Sequence, residues 1–100
     1  MTEKAIETYL RDQVKKAGGI AYKFTSPGNS GVPDRLVVLP GGYVYFVELK
    51  APSKKPSKLQ ERQIQRLTEL GCNVLVIESK NLVDLLIQHY ETECGGIKRE

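Results

Sequence analysis

One hundred residues with a net charge of +3, 40% of them hydrophobic, make one domain, near the size at which a single core closes without covalent staples. No apolar run approaches the ~20 residues of a membrane span, and the start, Met1-Thr2-Glu3-Lys4, lacks the basic-then-apolar order of a signal peptide, so a cytoplasmic protein is expected. Cys72 and Cys94 form neither a CxxC pair nor a ligand cluster with the single histidine, His89; zinc is therefore not expected, both read as free thiols, and Cys72 reads as a small core residue.

Residues 2–17 read as a helix. Thr2 can cap it, Ile6, Leu10, Val14 and Ala17 share one face, and Gly18-Gly19 ends it. Glu3 and Glu7 project toward that same apolar side. An acid in the first turn suits the helix dipole, yet a carboxylate on an apolar face needs a partner. Residues 20–25 make a first strand, and the Gly-, Ser- and Pro-rich segment 26–32 is a loop that delivers the chain to Pro33-Asp34. Arg35 to Leu39 reads as a buried strand, Pro40-Gly41-Gly42 as a turn, and Tyr43 to Lys50 as the partner strand. A second loop, 51–56, leads to a helix over 57–70 closed by Gly71. Residues 73–78 form a fourth strand of near-continuous aliphatics, as expected of a strand covered on both faces. A last helix, 81–90, is apolar enough to dock on the rest, and His89 reads as a surface or interface residue. The expected fold is α/β, ordered αβββαβα, with a mixed four-stranded sheet flanked by helices and the fourth strand parallel to the third. The domain spans 1–91, followed by a polar tail over 92–100.

The hairpin spends charge where apolar residues would be expected. Side chains alternate along a strand, so Val44, Phe46, Glu48 and Lys50 share a face, and Tyr43 and Tyr45 take the other, where packing against a helix is expected. With a three-residue loop and Gly42 in the left-handed conformation, Leu39 pairs with Tyr43 and Asp34 falls opposite Glu48. A two-residue turn would instead set Asp34 opposite Leu49 and break this face. Directly opposed strand residues have Cβ atoms ~5 Å apart, so two carboxylates there repel unless a cation lies between them. Hard ions such as Mg²⁺ take carboxylate oxygens and keep waters, one of which can be the nucleophile. Lys50, on the same face, can polarise that water or offset charge on a phosphoryl group. Between Ala51 and Arg66 stand Lys54, Lys55, Lys58, Arg62 and Arg66 against the single acid Glu61. This is either a solvated surface or the place where a phosphate backbone crosses the site.

Pro33-Asp34 with Glu48-Leu49-Lys50 matches the PD-(D/E)XK nuclease signature. The longer series Ser26-Pro27-Gly28, Gly31-Val32-Pro33-Asp34-Arg35, Phe46-Val47-Glu48-Leu49-Lys50-Ala51-Pro52 and Ser57 to Gln60 resembles a stand-alone virus-type replication-repair nuclease domain, the VRR-NUC family. It covers the chain from Glu3 to about Ile77. The resemblance implies a restriction-endonuclease-like core and Mg²⁺- or Mn²⁺-dependent hydrolysis of DNA, with small members acting as homodimers on branched DNA such as Holliday junctions. It fits a role in phage DNA repair, with the host cytoplasm as compartment, and no organic cofactor. It also implies a metal-binding glutamate near the start of the first helix, for which Glu3 fits the spacing to Ile6 and Leu10 and Glu7 is second choice. The ligand set it suggests is Glu3, Asp34, Glu48 and the carbonyl of Leu49.

Gln60 has two readings. Ser57-Lys58-Leu59-Gln60 is a capping box, while the helical wheel turns Gln60 toward the sheet and the family places a glutamine facing the site. Lys23 and Ser26, just ahead of the 26–32 loop, are candidates for DNA contact, with a solvated loop as the alternative. Asp34, Glu48, Lys50 and Gln60 are therefore the expected catalytic residues, and Lys23, Ser26, Lys54, Lys55, Lys58 and Arg62 the expected DNA contacts. Two other readings stay open: a non-catalytic DNA-binding module on a nuclease fold, and a nuclease subunit whose partner supplies specificity.

Overall fold

A computed structural model describes residues 1–94 and arranges them as α1 (Glu3–Lys16), β1 (Ile20–Lys23), β2 (Arg35–Leu39), β3 (Tyr43–Leu49), α2 (Lys58–Glu69), β4 (Asn73–Ile77) and α3 (Lys80–Glu93). The order is the αβββαβα read from the sequence. The strands form one sheet in chain order, antiparallel from β1 through β3, with β4 parallel to β3. The turn residues Gly41 and Gly42 sit at φ of 93° and 81°, a region open to glycine and strained for other residues. Leu39 pairs with Tyr43, which is the register a three-residue loop sets.

Helix α1 begins where Thr2 accepts a hydrogen bond from the Ala5 N–H at 3.1 Å. Its buried residues Ile6, Leu10 and Val14 join Val37, Leu39, Tyr45, Val47, Leu49 and Ile77 of the sheet and Val83, Leu86 and Tyr90 of α3 in one core. Burying each such side chain contributes roughly 1.5–3 kcal/mol, so this shared face, more than helix propensity, holds α1 and α3 against the sheet. The Tyr9 hydroxyl donates to Asp84 at 2.7 Å and links the two helices. Both hairpin tyrosines pack against α3, as expected: Tyr43 edge-on to Tyr90, and Tyr45 edge-on to His89 with its hydroxyl 3.0 Å from Nδ1. His89 is exposed but engaged. Cys94 is buried, Cys72 is half-buried, and both are free.

Strand β4 lies at the edge of the sheet, with Val74, Leu75 and Val76 half-buried and Ile77 buried; α2 and α3 pack on its two faces, the two-sided cover its aliphatic run implies. One element departs from the sequence reading. Helix α3 continues to Glu93 with Cys94 as its C-cap, past the expected end at residue 90. The rest of the expected tail, 95–100, lies outside the described residues. Among the described residues no helix is long and apolar enough to cross a membrane.

The second face of the sheet is only partly covered. Helix α2 rests on β4, and Ile20, Tyr22 and Val44 remain 47%, 53% and 38% exposed. The strand registers align Ile20 with Val38 and Val44, and Tyr22 with Leu36 and Phe46. Six apolar residues on three strands thus form one face.

Candidate active site

The site lies where the loop 24–34 enters β2. Gly31 adopts φ of 86°, and a Cβ there would stand 3.0 Å from Leu59, so glycine lets the loop lie against the first turn of α2. Gln63 fixes the same loop by donating to the Ser30 carbonyl at 3.2 Å. The chain then passes through buried Pro33 to Asp34. Arg35 pairs with Val47, so one step further along the ladder Asp34 stands opposite Glu48. The Asp34 carbonyl accepts from the Phe24 N–H at 2.7 Å, and its Oδ2 accepts from the Leu49 N–H at 2.9 Å. The aspartate is thereby held by the chain entering from β1 and by β3.

Glu48 is 1% exposed. Its Oε2 accepts from the Gln60 amide at 2.8 Å and lies 3.5 Å from the Lys50 ammonium. Its Oε1 is buried with no hydrogen-bond partner among the described residues. Burial, then the charge of Asp34, with a further push from Glu3, outweigh the pull of Lys50 and raise the Glu48 carboxyl to about 7. An unpartnered buried carboxylate oxygen is costly in a closed core. The same atom beside a second carboxylate is what a hard divalent cation requires, so the donor set fits Mg²⁺ or Mn²⁺.

The two readings of Gln60 are realised together. Its Oε1 accepts from the Ser57 N–H at 2.8 Å and its backbone N–H donates to Ser57 Oγ at 3.1 Å, which completes the capping box. Its Nε2 points the other way, to Glu48. The cap therefore aims the amide at the site.

The remaining expected residues are placed less uniformly. Glu3 is exposed in the first turn of α1; its charge reaches Glu48, but no third acidic, histidine or cysteine side chain gathers with Asp34 and Glu48 into a ready ligand cluster among the described residues. Leu49 enters through its N–H, bound to Asp34. Ser26 caps its own loop, accepting from the Asn29 side chain at 3.0 Å. Lys54, Lys55, Lys58 and Arg62 are exposed, and Lys54 and Lys55 share a cleft with Glu61 and Glu78 between α2 and β4, so acids partly offset that surface.

Sequence reasoning missed Arg35. It alternates with Val37 and Leu39 on the core side of β2, is 9% exposed, and binds Glu7 on α1 as well as the Ala21 carbonyl at 3.2 Å. The Arg35 hydrogen bond holds the Glu7 carboxyl below its ordinary range against the opposing effect of burial, with Arg35, Arg11 and Lys23 acting in the same sense through their charge. Glu7 is thus a structural ion-pair partner. The signal was present, since Glu7 stood on the apolar side of the first helix and Arg35 opened a strand read as buried.

A mixed sheet carrying paired carboxylates, a lysine and a capping glutamine at the end of one hairpin has the layout of a PD-(D/E)XK domain. No family model matches the chain. It is 54% identical over 84 residues to "Putative nuclease p44" of Acyrthosiphon pisum secondary endosymbiont phage 1, covering 84% of this chain and 90% of that protein. A solved structure described as a VRR_NUC domain superposes with a TM-score of 0.82 at 38% identity, over 90% of this chain and 99% of the other. A second, described as a VRR_NUC domain protein, shares the fold with a TM-score of 0.67 at 21% identity, over 92% and 89%. The chain belongs to the VRR-NUC family of nucleases.

Proposed function

We propose that the chain is a Mg²⁺- or Mn²⁺-dependent endodeoxyribonuclease that hydrolyses phosphodiester bonds in branched DNA, Holliday junctions among them, as a homodimer. The observation that carries this reading is Glu48: a buried carboxylate with one free oxygen, set opposite Asp34 and flanked by Lys50 and Gln60. Asp34 and Glu48 would hold the cation, with the exposed Glu3 side chain and the Leu49 carbonyl as further oxygen donors. A bound divalent ion supplies an activated water and neutralises charge on the phosphate. Lys50 stands beside Glu48 and places a positive charge where the pentacovalent transition state accumulates negative charge. Gln60, held at its carbonyl end by the cap, presents N–H donors that fix Glu48 and orient a water. Lys54, Lys55, Lys58 and Arg62 with Lys23 and Ser26 meet the backbone of the substrate.

A chain this small carries one site, whereas a four-way junction needs two symmetric cuts, so a two-fold dimer follows. The exposed apolar face of Ile20, Tyr22 and Val44 supports self-association, because monomers rarely leave such a contiguous patch in water.

The test is cleavage of a labelled four-way junction, a matched linear duplex and a single strand by wild type, Asp34→Asn and Lys50→Ala, in Mg²⁺, in Mn²⁺ and in chelator. Metal-dependent cutting selective for the junction, lost in both variants while DNA binding survives, is expected. Cutting of all three substrates would remove the junction claim and keep the nuclease. Binding without cutting would favour a binding module or a subunit that needs a partner.

A further inference from the structure

We propose that the groove between α1 and β1 carries the DNA backbone away from the site, on the side of the sheet opposite α2, with Arg11, Lys15 and Lys23 as its phosphate contacts. This rests on the nuclease reading and adds a second binding surface to it.

The groove has a volume of about 580 Å³ and is lined by Arg11, Lys15, Lys23 and Arg35, with Asp12 as the acid among its charged lining residues. Arg35 is neutralised by Glu7. Arg11, Lys15 and Lys23 are exposed and enter no ion pair among the described residues, so their charge is available to an anion. Their positions form a row. Lys23 pairs with Arg35 across the β1–β2 ladder, and Arg35 directly follows Asp34, so the groove begins at the strand end that carries a candidate metal ligand, on the opposite face of the sheet from it. The charges of Arg11 and Lys23 both reach Glu7, which places them together at that end. Lys15 is one helical turn beyond Arg11, ~6 Å along the axis, and Gly19 and Ile20 flank it at the far end. Cations spaced along a groove that begins at the strand end carrying the site match a polyanion better than a compact ligand.

The placement also separates this surface from the basic segment 54–62. That segment lies with α2, and the groove lies with α1, on the other side of the sheet. Two basic surfaces on opposite sides of the sheet suit the separate arms of a branch better than one straight duplex.

The experiment measures binding of a labelled four-way junction and a linear duplex in chelator, where no cutting occurs, as a function of salt. It compares wild type, Arg11→Gln/Lys15→Gln and Lys54→Gln/Lys55→Gln, with circular dichroism as the check on folding. Each phosphate contact removed lowers the slope of log affinity against log salt by about one, so the Arg11/Lys15 pair is expected to lose about two. A wild-type slope in that variant, with the Lys54/Lys55 variant reduced, overturns the groove and keeps the DNA-binding reading. Absence of DNA binding by the wild type overturns both.

Discussion

Glu48 shows how a residue can serve a site at the expense of the fold. Its carboxyl titrates at about 7 in the folded chain against an ordinary value of 4.5. Below 4.5 the group is protonated folded or unfolded, and its protonated form costs nothing extra. As pH rises through the interval, the unfolded chain releases the proton while the folded chain retains it, so stability falls, by up to ~3 kcal/mol above pH 7. Glu48→Gln removes that charge without changing the shape. In chelator, urea unfolding should find the variant more stable than wild type by ~1–3 kcal/mol at pH 8 and equal to it near pH 5; the same difference at both pH values would refute the account. Glu7 has the opposite sign, since its lowered carboxyl contributes stability that is present above 4.5 and lost as acid protonates it. At this scale Asp34, Glu48 and Lys50 were legible because strand alternation and a turn length suffice to juxtapose them. The inward turn of Gln60 was legible from the helical wheel beside its capping box, but spacing alone did not name Glu48 as its partner.

Among the elements, the loop before β2 does the most to assemble the site, and Gly31 is where it is most constrained. A side chain there meets both a left-handed backbone and the wall of α2. Gly28 has a similar φ of 83° but open space around it. Gly31→Ala should therefore destabilise by more than Gly28→Ala, whose strain alone is worth ~1–2 kcal/mol, and only Gly31→Ala should also depress cleavage by displacing Asp34. Equal losses of stability and unchanged activity in the two variants would show that the close approach to Leu59 does not matter. The helices were legible from caps and periodicity, Thr2 and Ser57 both capping as read. The two-sided cover of β4 was legible from its aliphatic run, though that run does not say whether the strand is at the edge or in the middle of the sheet. Helix α3 ran longer than read because polar Glu91, Thr92 and Glu93 continue it on its exposed side.

For the whole molecule, the uncovered apolar face is the feature that a single copy leaves unexplained. If it joins two copies, Val44→Asp, at a position already 38% exposed in one chain, should leave the monomer folded and abolish the dimer in sedimentation. Junctions would then be nicked once and not cut in pairs; a variant that still sediments as a dimer would place the interface elsewhere. Which surface would join two copies could not be read from the sequence, since alternation along β1, β2 and β3 marks both faces of the sheet as apolar without saying which one a neighbour covers. The turn at the other end of the hairpin has a further consequence. Surface loops are where related chains usually gain and lose residues freely, yet Pro40-Gly41-Gly42 sets the pairing that puts Asp34 opposite Glu48. Losing one residue there would slide the strands by a step and send one carboxylate to the wrong side, inactivating a chain whose signature residues all remained intact. In this chain, the length of the turn is therefore as much a part of the nuclease signature as the acids themselves.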